Sequence, residues 1–376
     1  MSPIALPSHE AAVLYGPKDL RVENRTVFPP GYGQVQVAIT CTGLCGSDVH
    51  YYQHARNGDF AVQAPMVLGH EAAGCITAVG PGVKNLQPGQ RVAIEAGIMC
   101  KNCTYCAQGR YNLCKGMRFC SSAKTFPHLD GTLQGRMNHP AHVVHPLPDS
   151  CSYESAALAE PLGVVIHASR RAQLAAGQTV LVFGVGAIGI LACALAKSMD
   201  AKRIVAIDLN QARLDFAKAN GFCQQTYCTT AADKGKTLDD QLRRSKELTQ
   251  TILQEFNEPD GFDVVFECTG AEAAIQMSAH AAITGGKVML IGMGSRNVML
   301  PLSTAATREV DILGSFRYAN TYPSALSLLA SGKLKNIEKL ITHRFPLKDT
   351  QRAFDMVSRG QDDDGNMVLK VMIESA

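Results

Sequence analysis

The chain has 376 residues, 46% hydrophobic and 18% charged, with 36 Lys and Arg against 33 Asp and Glu for a net charge of +3. That length divides into two or three domains with at least one sizeable core, which excludes a disordered chain and a stapled mini-protein. The charges are scattered rather than massed in one basic stripe, which argues against nucleic acid as a partner.

In chain order, the opening Met-Ser-Pro-Ile-Ala-Leu-Pro has neither the basic start nor the apolar core of a secretory leader. Thirteen cysteines is an odd number, and the expectation is a soluble protein in a reducing cytoplasm, without a membrane partner. The first 150 or so residues alternate β-rich runs such as Gln34–Thr40 with Pro and Gly turns such as Gly80–Gln90, the texture of a β barrel or sandwich. From about Cys151, Ala-rich helical segments lead into a strand at Thr179–Phe183, a helix, a strand at Arg203–Ile207 and a second helix, which is a parallel α/β unit. Residues 234–258 are polar, with Leu238, Leu242, Leu248 and Ile252 loosely spaced, and read as a surface helical insertion. Strands predicted at Asp263–Phe266 and Lys287–Ile291 run into Thr269-Gly270 and Ile291-Gly292-Met293-Gly294, where glycines mark close approach of backbone to a ligand. From about Gly314, through Ser315-Phe316-Arg317-Tyr318, the chain returns to short mixed elements that rejoin the first domain.

Val180–Ala196 runs seventeen residues without a charge, but Gly184, Gly186 and Gly189 divide it into a strand and a helix rather than a membrane span. Those glycines form Gly184-Val-Gly186-Ala-Ile188-Gly189 directly after a predicted strand. The first permits a tight turn, the second admits a pyrophosphate to the backbone N–H groups, and the third lets the helix pack closely. Asp208 ends the next strand nineteen residues after Gly189. A carboxylate there accepts from a ribose and repels a 2′-phosphate, so NAD is expected over NADP. Arg213 is the competing feature, able to meet a phosphate or to pack on adenine.

Cys100, Cys103, Cys106 and Cys114 place four thiols within fifteen residues of a loop rich in Lys, Asn and Gly. Four thiolates at this spacing can close around one Zn²⁺ and leave no position for substrate, which makes a structural site; iron with the same ligands stays open. A third group is dispersed: Cys45 within Thr42-Gly-Leu-Cys-Gly-Ser47-Asp-Val-His50, the pair His70-Glu71, and Glu160 before Pro161. Singly each has a bland reading as a buried small side chain, a satisfied core histidine or a first-turn acid; on the residues alone the quartet reads equally as a metal site or as four such side chains. Neighbours in a strand point to opposite faces, so His70 and Glu71 reach one metal only if the chain turns there. Otherwise Glu160 must supply the oxygen ligand.

These motifs resemble the zinc-dependent medium-chain alcohol dehydrogenases, in the polyol branch of sorbitol, xylitol and L-arabinitol dehydrogenases. The resemblance implies a GroES-like β-rich catalytic domain (1–157, with the four-cysteine lobe at about 95–118), a Rossmann domain with a doubly wound parallel sheet (158–314), and a return to the catalytic domain (315–376). It makes Cys45, His70 and Glu71 catalytic zinc ligands, with Glu160 on the metal directly or through water, and the cysteine lobe a second zinc site. It places Tyr51, Arg317 and Tyr318 at positions that face substrate, and Ser47 and His50 with Glu160 as proton relays. Gly184, Gly186, Ile188, Gly189, Asp208, Arg213, Thr269, Ile291, Gly292, Met293, Ser315, Phe316 and Arg317 become the candidate contacts of NAD. The implied reaction is oxidation of a polyol to a ketose by hydride transfer to NAD, in a homotetramer. An L-threonine or butanediol dehydrogenase of the same family, or a non-catalytic NAD-binding protein, is the alternative.

Overall fold

Val35, Val37, Ile39 and Cys41 are buried along the strand Gln34–Gly43, and their period of two turns one face of it into the core of the first of two units. The computed structural model of the chain describes residues 8–230, 237–295 and 297–375. The first unit comprises residues 1–161, 319–332 and 338–376; the second, 162–318 and 333–337. The chain thus leaves and re-enters four residues later than the bounds the family resemblance implies, and a short stretch at 333–337 joins the second unit.

In the first unit the principal sheet runs in the order Val144–Pro146, Arg91–Ile94, Glu71–Val79, Gln34–Gly43, Lys370–Glu374, Ile341–Pro346, and Arg136–Pro140 also pairs with Gln34–Gly43. One strand from the end of the chain therefore lies beside one from its beginning, with Met372 opposite Gly43 and Glu374 opposite Cys41. That pairing brings Lys370 into the neighbourhood of Leu44 and Glu71.

In the second unit six parallel strands lie in the order Gln225–Cys228, Arg203–Asp208, Thr179–Phe183, Phe262–Glu267, Ala282–Leu290, Asp311–Gly314. Numbered along this unit the order is 3-2-1-4-5-6, and its switch point falls beside Thr179–Phe183, where the glycine-rich turn begins. The uncharged run divides as its glycines require, with a strand to Phe183 and a helix over Ala187–Ser198. Among the described residues no helix is long and apolar enough to cross a membrane.

One expectation is corrected. The polar segment read as a surface insertion is a crossover helix over Leu238–Glu255, and residues 234–236 of the predicted segment lie outside the described residues. Ser245, Thr249, Ile252, Leu253 and Phe256 are buried, at helical spacing, and Ser245 Oγ donates to Gln276 Oε1 at 2.8 Å. Two members of the buried stripe are hydroxyl residues satisfied inside the fold, which hides the stripe from a count of apolar positions.

Candidate metal and cofactor sites

Cys45 is the N-cap residue of the helix Gly46–His54, and Asp48 sits one turn in. The Asp48 carboxylate is fully buried and is the hub of the local structure. Its Oδ1 accepts from Gly69 N at 3.2 Å and from Ser121 Oγ at 2.5 Å, while Oδ2 lies 3.4 Å from both Cys45 N and His70 Nδ1. Burial alone would raise its pKa, but the His70 ring, with Ser121 and Gly69 donating, holds it below the ordinary value. His70 is also buried; desolvation opposes its charged form, yet Asp48 and Cys45 beside it hold its pKa well above the ordinary one.

The turn demanded between His70 and Glu71 is present. Gly69 has φ +92°, and a Cβ there would lie 2.8 Å from Leu133 and 2.9 Å from Thr42. The strand begins only at Glu71, so His70 is not bound by strand alternation. Ligand atoms of Cys45, His70 and Glu71 accordingly lie within 4.8 Å of one another. With Nδ1 facing Asp48, Nε2 is the His70 nitrogen left for a metal, the usual arrangement of a metal-bound imidazole oriented by a carboxylate. Thiolate, imidazole and carboxylate together fit Zn²⁺ and leave a fourth position to substrate.

Glu71 carries a second relationship that the sequence did not suggest. Lys370 Nζ lies 2.8 Å from its Oε1 and 2.7 Å from its Oε2, and donates also to Leu44 O at 3.0 Å. Both side chains are buried, at 3% and 1% exposure. Burial works against the charge on Lys370, but Glu71 and then Cys45 outweigh it and raise the pKa above that of a free lysine.

Glu160 is buried in the first turn of the helix Ala159–Ala172 but falls outside the Cys45–His70–Glu71 group. Ser47 Oγ donates to Cys45 Sγ at 3.4 Å. His50 is exposed, its ring 6.4 Å from that of His54, and among the described residues no hydrogen bond joins it to Ser47. Tyr51 lies in the apolar core at 2% exposure, its hydroxyl accepting from Ala123 N at 3.0 Å. In this conformation it packs. In the second unit, Arg317 adopts φ +51° with its guanidinium 4.9 Å over the Phe316 ring, and Tyr318 is buried.

The four-cysteine loop passes a stricter test. Cys100 Sγ and Cys103 Sγ lie 3.9 and 3.6 Å from Cys106 Sγ. A tetrahedron of sulfurs about 2.3 Å from a central ion has edges of about 3.8 Å, whereas a disulfide needs about 2.05 Å. All four Sγ atoms lie within 4.8 Å of one another, so the loop is preformed for one ion. The backbone N–H of Cys106 helps draw the Cys103 thiol down to about 6, which favours thiolate near neutral pH.

The glycine-rich turn has the features of a nucleotide cradle. Gly184 has φ +86°, and a Cβ on Gly189 would fall within 1.8 Å of Gly184 O, so helix and turn touch through backbone alone. A Cβ on Gly186 would meet nothing within 4 Å, and no side chain caps the helix that starts after it, so the N–H groups of Ala187, Ile188 and Gly189 lack a side-chain cap. Asp208 Oδ2 accepts from Val185 N at 2.7 Å and Oδ1 from Asn210 N at 2.9 Å, which locks the carboxylate to the turn. Among the described residues Arg213 Nε, which is buried, has no hydrogen-bond partner. The donor-rich turn and the fixed carboxylate fit NAD.

The glycines after the next two strands also let two backbone loops meet. A Cβ on Gly292 would lie 2.2 Å from Gly270 N, and one on Gly270 2.3 Å from Gly294 N. The close approach is of one loop to the other. Glu267, fully buried, fixes the first loop by accepting from Thr269 N at 2.8 Å and Gly270 N at 3.0 Å. Ile291 N donates to Glu267 O at 2.9 Å and Ser315 N to Leu290 O at 3.0 Å, while Met293 is 58% exposed.

A two-zinc donor set in a GroES-like unit and a nucleotide turn on a doubly wound sheet define a metal-dependent dehydrogenase. Residues 31–149 match the family model of the alcohol dehydrogenase GroES-like domain, and residues 187–331 that of the zinc-binding dehydrogenase domain. The chain belongs to the zinc-dependent medium-chain alcohol dehydrogenases. It is 44% identical to sorbitol dehydrogenase of Rattus norvegicus over 364 residues, 96% of this chain and 94% of that one. It is 42% identical to sorbitol dehydrogenase of Homo sapiens over 376 residues, 100% and 98% of the two chains. Among solved structures, L-idonate 5-dehydrogenase of Escherichia coli superposes with a TM-score of 0.84 at 30% identity over 98% of both chains. The 2R,3R-butanediol dehydrogenase of Bacillus subtilis does so with 0.80 at 26% identity, over 98% of this chain and 100% of that one.

Proposed function

We propose that this chain oxidises a linear polyol at the secondary hydroxyl next to its terminal carbon, sorbitol to fructose or xylitol to xylulose, with NAD as hydride acceptor. The observation that carries the reading is the grouping of Cys45, His70 and Glu71 around one buried point, in a chain similar over its whole length to sorbitol dehydrogenases. When bound, zinc lowers the pKa of a substrate hydroxyl and NAD accepts the hydride.

The chain's own residues do the rest. Cys45 and Glu71 bring one negative charge each toward a divalent cation, the Lys370 ammonium offsets part of that charge, and the Asp48 carboxylate 3.4 Å from Nδ1 keeps the His70 ring aimed. Ser47, donating to the Cys45 sulfur, tempers that thiolate. Glu71 is the oxygen ligand, and Glu160 is the buried base toward which the hydroxyl proton moves, with Ser47 and His50 on the way to water. The uncapped N–H groups after Gly186 bind the pyrophosphate and Asp208 the ribose, while Thr269, Ile291, Gly292, Met293, Ser315 and Phe316 line the nicotinamide side. Arg317 and Tyr318 supply hydrogen bonds to the polyol's other hydroxyls, which a small apolar alcohol cannot accept. The enzyme is proposed to work as a cytoplasmic homotetramer.

The experiment is a set of initial rates with NAD across sorbitol, xylitol, L-arabinitol, L-threonine, butanediol and ethanol. Polyols are expected to lead in kcat/KM. Ethanol or butanediol matching them would refute the polyol assignment and favour a short-diol dehydrogenase.

A further inference from the structure

Two residues around the point where the chain re-enters the first unit are conformationally unusual. Arg317 has φ +51° and Asn320 φ +57°, two left-handed non-glycine residues within four positions. Such a conformation is disfavoured for arginine and persists only where the surroundings fix it. Asparagine tolerates it better, and what fixes Asn320 is the cysteine lobe.

Asn320 N donates to Tyr111 Oη at 2.7 Å, and Asn320 Nδ2 donates to Gly109 O at 2.7 Å. Gly109 and Tyr111 both lie in the loop between the third and fourth lobe cysteines, Cys106 and Cys114. The Tyr111 hydroxyl in turn donates to Glu95 Oε1 at 2.7 Å, and Glu95 Oε2 accepts from His145 Nε2 at 2.8 Å. Two residues on, Tyr322 Oη donates to Ile94 O at 2.7 Å and stacks on the His145 ring at 4.9 Å. The lobe loop therefore meets the re-entering chain through a hydrogen-bond chain anchored on a buried carboxylate.

We propose that the four-cysteine lobe is a latch on this segment: its metal, by fixing the Cys106–Cys114 loop, holds Asn320 and through it the conformation of Arg317 and Tyr318, so that Gly109, Tyr111 and Asn320 are positioning residues for substrate recognition. The lobe metal thereby acts on polyol affinity without touching polyol. The inference rests on the proposed role of Arg317 and Tyr318 and gives the lobe a part in the reaction beyond stapling its own loop.

Three variants of the zinc-loaded, full-length enzyme test it. Asn320→Gly keeps the left-handed backbone and its N–H but deletes the bond to Gly109; Tyr111→Phe deletes the hydroxyl; Cys114→Ser opens the metal cage. Each is compared with wild type in zinc content, in amide hydrogen exchange across residues 315–322, and in KM and kcat for the best polyol. For Asn320→Gly, loss of one hydrogen bond should speed exchange in the segment by about ten-fold. The KM for polyol should rise with it, while kcat, the KM for NAD and the zinc content hold. Tyr111→Phe should act in the same direction, and Cys114→Ser should lose one zinc and speed exchange in the same segment. Unchanged exchange in Asn320→Gly would overturn the latch, as would Cys114→Ser losing its metal with the segment still protected. Faster exchange with unaltered polyol KM would also overturn it, because the contacts would then serve stability alone. If wild type turns over no polyol, the functional reading fails instead, and the exchange arms judge the latch by themselves.

Discussion

Replacing Lys370 with methionine should destabilise the metal-free chain far more than the zinc-loaded one. Lys370 and Glu71 are 3% and 1% exposed, and the ammonium is bonded to both carboxylate oxygens and to Leu44 O. Methionine keeps much of the apolar stem, so the main change is a buried carboxylate left without its counter-charge. Breaking a buried pair in this way costs about 3–5 kcal/mol. At about 2–4 °C per kcal/mol for a unit of this size, the melting temperature of the metal-free variant should fall by roughly 6–20 °C. Zinc bound at Cys45, His70 and Glu71 supplies positive charge to the same carboxylate, and the deficit should then shrink to well under half. Calorimetry of chelator-treated and zinc-reconstituted protein reads both numbers. A double variant, Lys370→Met with Glu71→Gln, should recover most of the metal-free loss, since neither charge remains. A metal-free Lys370→Met protein melting within about 2 °C of wild type would refute the reasoning, and so would an equal deficit with and without zinc.

Asp208→Ser should raise activity with NADP relative to NAD by about 1–3 kcal/mol of preference, the scale of charged hydrogen bonds; an unchanged cofactor ratio would mean that Asp208 serves only to tie Val185 and Asn210 in place. Metal analysis should find two zincs per chain and one in Cys103→Ser, with a chelator stripping the open Cys45 site first; one zinc in both proteins would remove the lobe site. Buried His139, its Nε2 2.9 Å from Glu95 O, has its pKa pushed down to about 4 by burial. Its contribution is therefore complete above about 6.5, the unfolded value, and is lost as pH falls toward 4, at most about 3 kcal/mol. His139→Gln should flatten the acid side of the urea-midpoint profile between those limits, and an unaltered profile would show that another group sets acid stability.

Local signals were read where one segment contains its own cause. The four-cysteine spacing, the turn at Gly184–Gly189 and the strand Thr179–Phe183 each depend on neighbours within about a dozen residues, and the structure forms them where the sequence indicates. The turn before Glu71 was posed by the sequence as a condition and is met by Gly69. Asp48 carries a local signal in the sequence: a side chain three residues after an N-cap reaches back to the helix start, and here it goes on to His70. Lys370 had no local signal, since its partner lies 299 residues away and only sheet pairing unites them. The crossover helix Leu238–Glu255 resembles surface in the sequence because Ser245 and Thr249 look solvated until Gln276 and the helix backbone are in place to satisfy them.

The pairing of strands from opposite ends of the chain also sets an order of manufacture. Residue 71 leaves the ribosome long before residue 370; at about 5–20 residues per second the interval is roughly 15–60 s. Throughout that interval the nascent strand Gln34–Gly43 lacks the neighbour that later pairs with it from Cys41 to Gly43, and Glu71 has no ammonium beside it. A nascent chain that captures zinc early gains a positive charge for that carboxylate before its own lysine exists. Zinc starvation during translation should therefore deplete newly made chains while sparing those already complete.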